Sequence, residues 1–133
     1  MIKKILFILV LLILSISSVV AFEVPSEFEP IEDMLHYNSY TYTNSYGDEN
    51  SGQVIEVLTY DEYKDKYFND FENYSYTANN DGTFDFFYFG ENFHTGIGKN
   101  YDDLTVLFWN RNSGQSDDNL KDLINECDAL NGV

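Results

Sequence analysis

Tyr74-Ser75-Tyr76-Thr77-Ala78-Asn79-Asn80-Asp81-Gly82-Thr83-Phe84-Asp85-Phe86-Phe87-Tyr88-Phe89 reads as two strands around a reversal. Tyr74, Tyr76 and Ala78 alternate with Ser75 and Thr77, the period of two that puts successive side chains on opposite faces of a sheet. Asn80-Asp81-Gly82 supplies the left-handed geometry a tight hairpin needs, and Asp-Gly between two such runs is a strong hairpin signal. Beyond the turn, Phe84, Phe86, Phe87, Tyr88 and Phe89 are apolar on both faces, which places this strand centrally in the sheet.

Toward the C-terminus, Phe93 to Lys99 predicts a strand in which Gly96 and Gly98 mark a bulge or a close approach of backbones. Leu104 to Trp109 predicts another. After the polar loop from Asn110 to Ser116, Asp117 or Asp118 can cap a closing helix. Leu120, Leu123, Ile124, Cys127 and Leu130 form its apolar stripe, which puts Cys127 in the core. Asn131-Gly132 ends the helix as a left-handed cap prefers.

Toward the N-terminus, Thr59-Tyr60-Asp61-Glu62 fits a capping box. It opens a helix over residues 60 to 72, with Tyr60, Tyr63, Tyr67, Phe68 and Phe71 at helical spacing. Gln53 to Thr59 reads as a strand, preceded by a polar turn over 47 to 52 and by a strand over 39 to 46 with Tyr40, Tyr42 and Tyr46 on one face. Pro25 and Pro30 bias the residues before them to extended backbone, and Pro30 suits the first position of a short helix over 30 to 37. The expected fold class is α+β, a single antiparallel sheet of about six strands with two main helices packed on one face.

The chain has 133 residues, with 7 Lys and Arg against 23 Asp and Glu, for a net charge of −16. Phosphate recognition needs a cationic footprint, so this balance speaks against a nucleic-acid partner. Lys3 and Lys4 precede an unbroken apolar run from Ile5 to Leu14, and Val19-Val20-Ala21 offers a signal-peptidase site before Phe22. The expected organisation is a signal peptide over 1–21 and a single acidic α+β domain over 22–133, secreted or otherwise extracytoplasmic. The competing reading is an uncleaved anchor, because Ile5 to Phe22 spans 18 residues, at the lower limit for crossing a bilayer. No Cys stands at the junction to carry a lipid.

Phe22-Glu23-Val24-Pro25-Ser26-Glu27-Phe28, followed by a small acidic domain, resembles the start of exported proteins of the PsbP/Mog1-like type. The closing Leu123, Asn125, Leu130 and Asn131 resemble the tails of small signal-bearing archaeal proteins of unassigned activity. Together the two likenesses touch about a fifth of the chain, through short common residues. They imply an antiparallel sheet entered through a Phe-x-x-Pro segment, and they imply no activity.

No motif identifies a catalytic or cofactor-binding residue. Cys127 is the single Cys, His36 and His94 lie in different elements, and Gly-x-Ser-x-Gly is absent. Zinc would need paired Cys or His, so any metal would be a hard cation such as calcium held by oxygens, with Asp48, Glu49, Asp102 and Asp103 as the candidate ligands. Reading Asp81-Gly82 as an EF-hand loop puts Thr77 and Tyr88 where its two acids belong, so the hairpin reading stands. Gly96-Ile97-Gly98-Lys99 lacks the earlier Gly and the following Ser or Thr of a phosphate loop. Asn73-Tyr74-Ser75 makes Asn73 a glycosylation candidate. Eleven Phe, eleven Tyr and one Trp are the unusual feature, and Tyr40, Tyr42 and Tyr46 are a candidate binding face, because Tyr offers a flat apolar body with a polar tip.

The expected function is an exported or surface-associated, non-catalytic binding domain with a cell-surface glycan or protein as partner. Membrane contact would come only through an uncleaved N-terminal segment. The alternatives are a small secreted hydrolase and an acidic calcium-binding surface module. Mass spectrometry of the exported chain checks the cleavage site: a mature terminus at Phe22 is expected, and a membrane-retained chain keeping Met1 would make the segment an anchor.

Overall fold

A computed structural model of the chain describes residues 22–31, 45–90, 93–111 and 117–133. Among these, seven strands form one antiparallel sheet: β1 (Glu29–Pro30), β2 (Ser45–Gly47), β3 (Gln53–Thr59), β4 (Tyr74–Ala78), β5 (Thr83–Tyr88), β6 (His94–Tyr101) and β7 (Leu104–Asn110). Their spatial order is β1-β2-β3-β7-β6-β5-β4. Helix α1 (Tyr60–Lys66) follows β3 and runs into a 3₁₀ turn at Phe68–Asp70, and α2 (Asp118–Leu130) closes the chain. The α+β class is as expected. The seventh strand is β1, whose Pro30 pairs with Tyr46 at the sheet edge instead of opening a helix, a position where a missing N–H costs no ladder bond. The remainder of that expected helix, the proposed signal peptide, and Tyr40 and Tyr42 lie outside the described residues.

The two helices cover opposite faces of the sheet, correcting the expectation of one shared face. On β3, Ile55 and Val57 point to α2, where they meet Val106, Phe108, Leu120, Leu123, Ile124 and Cys127. Val54 and Leu58 point the other way, to Leu107, Trp109, Tyr63 and Tyr67. The central pair β3 and β7 is buried along both faces, so each face needs its own cover.

Local chemistry sets the ends of the elements. The Thr59 hydroxyl accepts from the Glu62 amide while the Glu62 carboxylate accepts from the Thr59 amide, the capping box read from sequence. Asp117 occupies the N-cap position of α2 but makes no side-chain cap hydrogen bond. At the other end of α2, Gly132 has φ +72, and the Val133 and Gly132 amides donate back to the Asp128 and Ala129 carbonyls as a Schellman cap. Asn131 also fastens the start of the domain: its side chain accepts from the Glu23 amide at 2.8 Å and donates to the Glu23 carbonyl at 2.9 Å.

Gly96 and Gly98 sit in an unbroken β6 and serve close approach. A Cβ at Gly96 would lie 2.0 Å from the Phe108 carbonyl oxygen, and one at Gly98 would lie 2.1 Å from the Phe84 ring. β5 stands second from the sheet edge, between β4 and β6, and not at the centre as expected; Phe87 on its α2-side face is exposed and touches the exposed Phe89 and Phe93.

Because the obstacle at Gly96 is backbone, Gly96→Ala should cost about 1–3 kcal/mol, the range for overpacking a tight site. Thr59→Ala should cost about 1 kcal/mol through the lost cap. Urea denaturation checks both, and a Gly96→Ala variant as stable as the parent would contradict the packing at β6.

Candidate functional site

The β6–β7 turn stands at the end of the sheet where β3 passes into α1. Tyr101 pairs with Leu104 across Asp102-Asp103, and Thr59 pairs with Leu104. Asp102 takes a left-handed φ of +51, tolerable for an Asp at a two-residue reversal. Two adjoining open hollows, of about 850 and 620 Å³, meet around this turn and share Tyr60, Asn100, Asp102 and Asp103. The first extends past Asp61 toward the end of α2, and the second extends over the α1 face of the sheet to Tyr76, Phe68 and Phe84.

Two aromatic rings in this groove remain open. Tyr63 and Tyr67 bury themselves on the sheet, whereas Tyr60, at the first position of α1, overhangs its end and is 56% exposed. On edge strand β4, Tyr74 lies under α1 but Tyr76, one pleat further, is 54% exposed. The Lys64 ammonium sits 5.4 Å above the Tyr60 ring centre. Asp61, Asp102 and Asp103 are exposed beside them.

Beneath α1 lies a second constellation, of buried polar groups. Glu56 points from β3 into the α1-side core at 1% exposure. One carboxylate oxygen forms an ion pair with Lys66, and the other accepts from the Tyr67 hydroxyl at 2.5 Å. The Tyr67 oxygen lies 3.0 Å from His94 Nε2; with its hydrogen directed to Glu56, it accepts from an N–H at that nitrogen. His94, 7% exposed, stacks on Trp109 at 4.3 Å. The Tyr63 and Tyr74 hydroxyls hydrogen-bond to each other. None of Glu56, Lys66, Tyr67 and His94 lines either hollow of the groove.

The sequence-derived candidates scatter. Asp102 and Asp103 fall in the groove, while Asp48 and Glu49 lie at the opposite end of the sheet, so the four acids do not converge. Asp48 is engaged locally, accepting from the Asn50 amide and the Ser51 hydroxyl. Among the described residues no group of three or more His, Cys, Asp and Glu is arranged to hold a metal ion. Tyr46 packs half-buried against the α2-side core instead of presenting an open face. The Asn73 side-chain amide donates to Asp70 at 2.8 Å, through the nitrogen to which a glycan would be attached. Cys127 is fully buried, and burial pushes its thiol up to about 12. Compared with family models, with curated proteins and with solved structures, the chain matches none.

Lys66→Met should cost about 3–5 kcal/mol, because it leaves the Glu56 charge buried without its partner, and Glu56→Gln combined with Lys66→Met should cost less than the single change. Thermal melts of the three proteins check this. Burial also pushes the Tyr63 hydroxyl up to about 12 and raises Tyr74 and Tyr101, the last helped by its hydrogen bond to Asp128. The folded state therefore holds protons that the unfolded state releases near the ordinary values of 9.0 for Cys and 10.0 for Tyr. Stability should be fully present below pH 9 and fall as pH rises toward 12. Urea titrations from pH 8 to 12 check the sign; stability unchanged above pH 10 would contradict it.

Proposed function

We propose that this chain is an exported, non-catalytic binding domain whose ligand seats in the groove around the β6–β7 turn. The observation that carries the reading is the pairing of two open tyrosine rings with exposed carboxylates along one concavity. Aromatic faces with polar groups at their margins are the surfaces on which proteins anchor partners. The export expectation rests on Lys3, Lys4 and the apolar run that follows. Asp61, Asp102 and Asp103 all stand in solvent, and among the described residues no Ser, Cys or His lines either hollow to serve as nucleophile or base. That favours binding over catalysis.

Amide-resolved NMR titration with a panel of neutral sugars, amino acids and amines tests the site. At least one class should shift the resonances of Tyr60, Tyr76, Asn100 and Asp102 together. Shifts confined to Asp48, Glu49 and Arg111 at the other end of the sheet, or to the Phe87, Phe89 and Phe93 patch, would move the site elsewhere and overturn the assignment.

A further inference from the structure

Among the described residues the walls of the groove carry three exposed carboxylates, and the Lys64 ammonium stands beside them over the Tyr60 ring. Among the described residues no Lys, Arg or His lines either hollow, and none of Asp61, Asp102 and Asp103 forms an ion pair. Lys64 offsets at most one of these three charges, so further cations would come from outside the walls, and a chain at −16 gathers cations by long-range attraction before any contact forms. Tyr76, and Tyr60 where Lys64 does not cover it, are the open aromatic surfaces beside the carboxylates, and such faces attract ammonium groups through the ring quadrupole. This chain already uses that contact: Lys64 lies over Tyr60, Lys66 over Tyr67 and Lys99 over Tyr101, at 5.2–5.4 Å from ring centre to nitrogen.

Resting on the groove as the ligand seat, we propose that the group it recognises is the ammonium of lysine side chains, carried by an extended basic segment of a partner protein. Two hollows that share the Asp102-Asp103 turn give such a segment room on both sides of the acids. A phosphocholine headgroup would also offer an ammonium, but it brings its own phosphate against three carboxylates. A neutral sugar would stack on tyrosine but leave the charge of the walls uncompensated.

The test is NMR titration of the full chain, at physiological ionic strength, with a six-residue peptide of alternating lysine and glycine. Parallel arms use the same peptide acetylated on every lysine, an N-acetylglucosamine tetramer, and phosphocholine. The lysine peptide should shift Tyr60, Tyr76 and Asp102, and acetylation should weaken it at least tenfold. Tyr60→Leu, which keeps bulk while losing the aromatic face, and Asp102→Asn, which keeps the left-handed turn, should each weaken binding about threefold, the size of an exposed ring–cation contact. Thermal melts confirm that both variants fold. Glu126→Gln, on the outer face of α2, should leave the affinity unchanged.

Equal weakening by Glu126→Gln and Asp102→Asn would mean diffuse attraction to an acidic surface and would overturn the proposal. So would an acetylated peptide that binds as well as the charged one. Binding of the sugar or of phosphocholine in the groove, with no lysine-peptide binding, would overturn the ligand class while leaving the groove as the seat. No shift at the groove with any probe would overturn both.

Discussion

Everything in this domain follows from a central strand pair that is buried on both sides. β3 and β7 run antiparallel from Gln53↔Asn110 to Thr59↔Leu104, and the five middle residues of each are buried. A strand pair of that kind cannot face water with either surface, so the chain covers one with α1 and the other with α2. The fully buried Val54, Ile55, Leu58, Val106, Leu107 and Phe108 concentrate apolar burial where the sheet is thickest. Each helix is then tied down by polar contacts at its own end. Lys66 and Tyr67 reach Glu56 on one face, and Asp128 accepts from Lys99 at 2.7 Å and from Tyr101 at 2.6 Å on the other.

The groove is a by-product of the same arrangement. Each helix covers the middle of the sheet and leaves the β6–β7 turn projecting between the start of α1 and the end of α2. Aromatic side chains whose neighbours are buried there lose their cover. Tyr60 and Tyr76 belong to the same apolar alternations as Tyr63 and Tyr74, and only their position past the edge of α1 makes them surface residues. The acids of the turn meet them because a two-residue reversal must expose its side chains.

Local signals in the chain specify local structure well. The capping box at Thr59, the Asp81-Gly82 hairpin, the α2 stripe and the Asn131-Gly132 stop each satisfy backbone groups within a few residues, so their chemistry is written in adjacent positions. The side of the sheet each helix takes was a different matter, since it depends on the two-sided burial of β3 and β7. Val54-Ile55-Glu56-Val57-Leu58 held that information: five residues without alternation mark a strand buried on both faces, and the lone Glu among them signals a buried charge that needs a partner. Its partners Lys66, Tyr67 and, through Tyr67, His94 lie 10 to 38 positions away along the chain, and nothing local announces them. The groove was likewise hidden, because which tyrosines of an aromatic-rich chain stay open is decided by where a helix ends over the sheet.

The account stands on Tyr60 and Tyr76 being open while their neighbours are closed. Tyrosine nitration of the folded protein, followed by peptide mass spectrometry over time, measures this directly. Among the five tyrosines of α1, the residue after it and β4, Tyr60 and Tyr76 should be modified first, with Tyr63, Tyr67 and Tyr74 protected until the protein unfolds. Nitration of the buried three at the same rate as the exposed pair, or protection of Tyr60 and Tyr76 in the native protein, would contradict the groove as a surface open to a ligand.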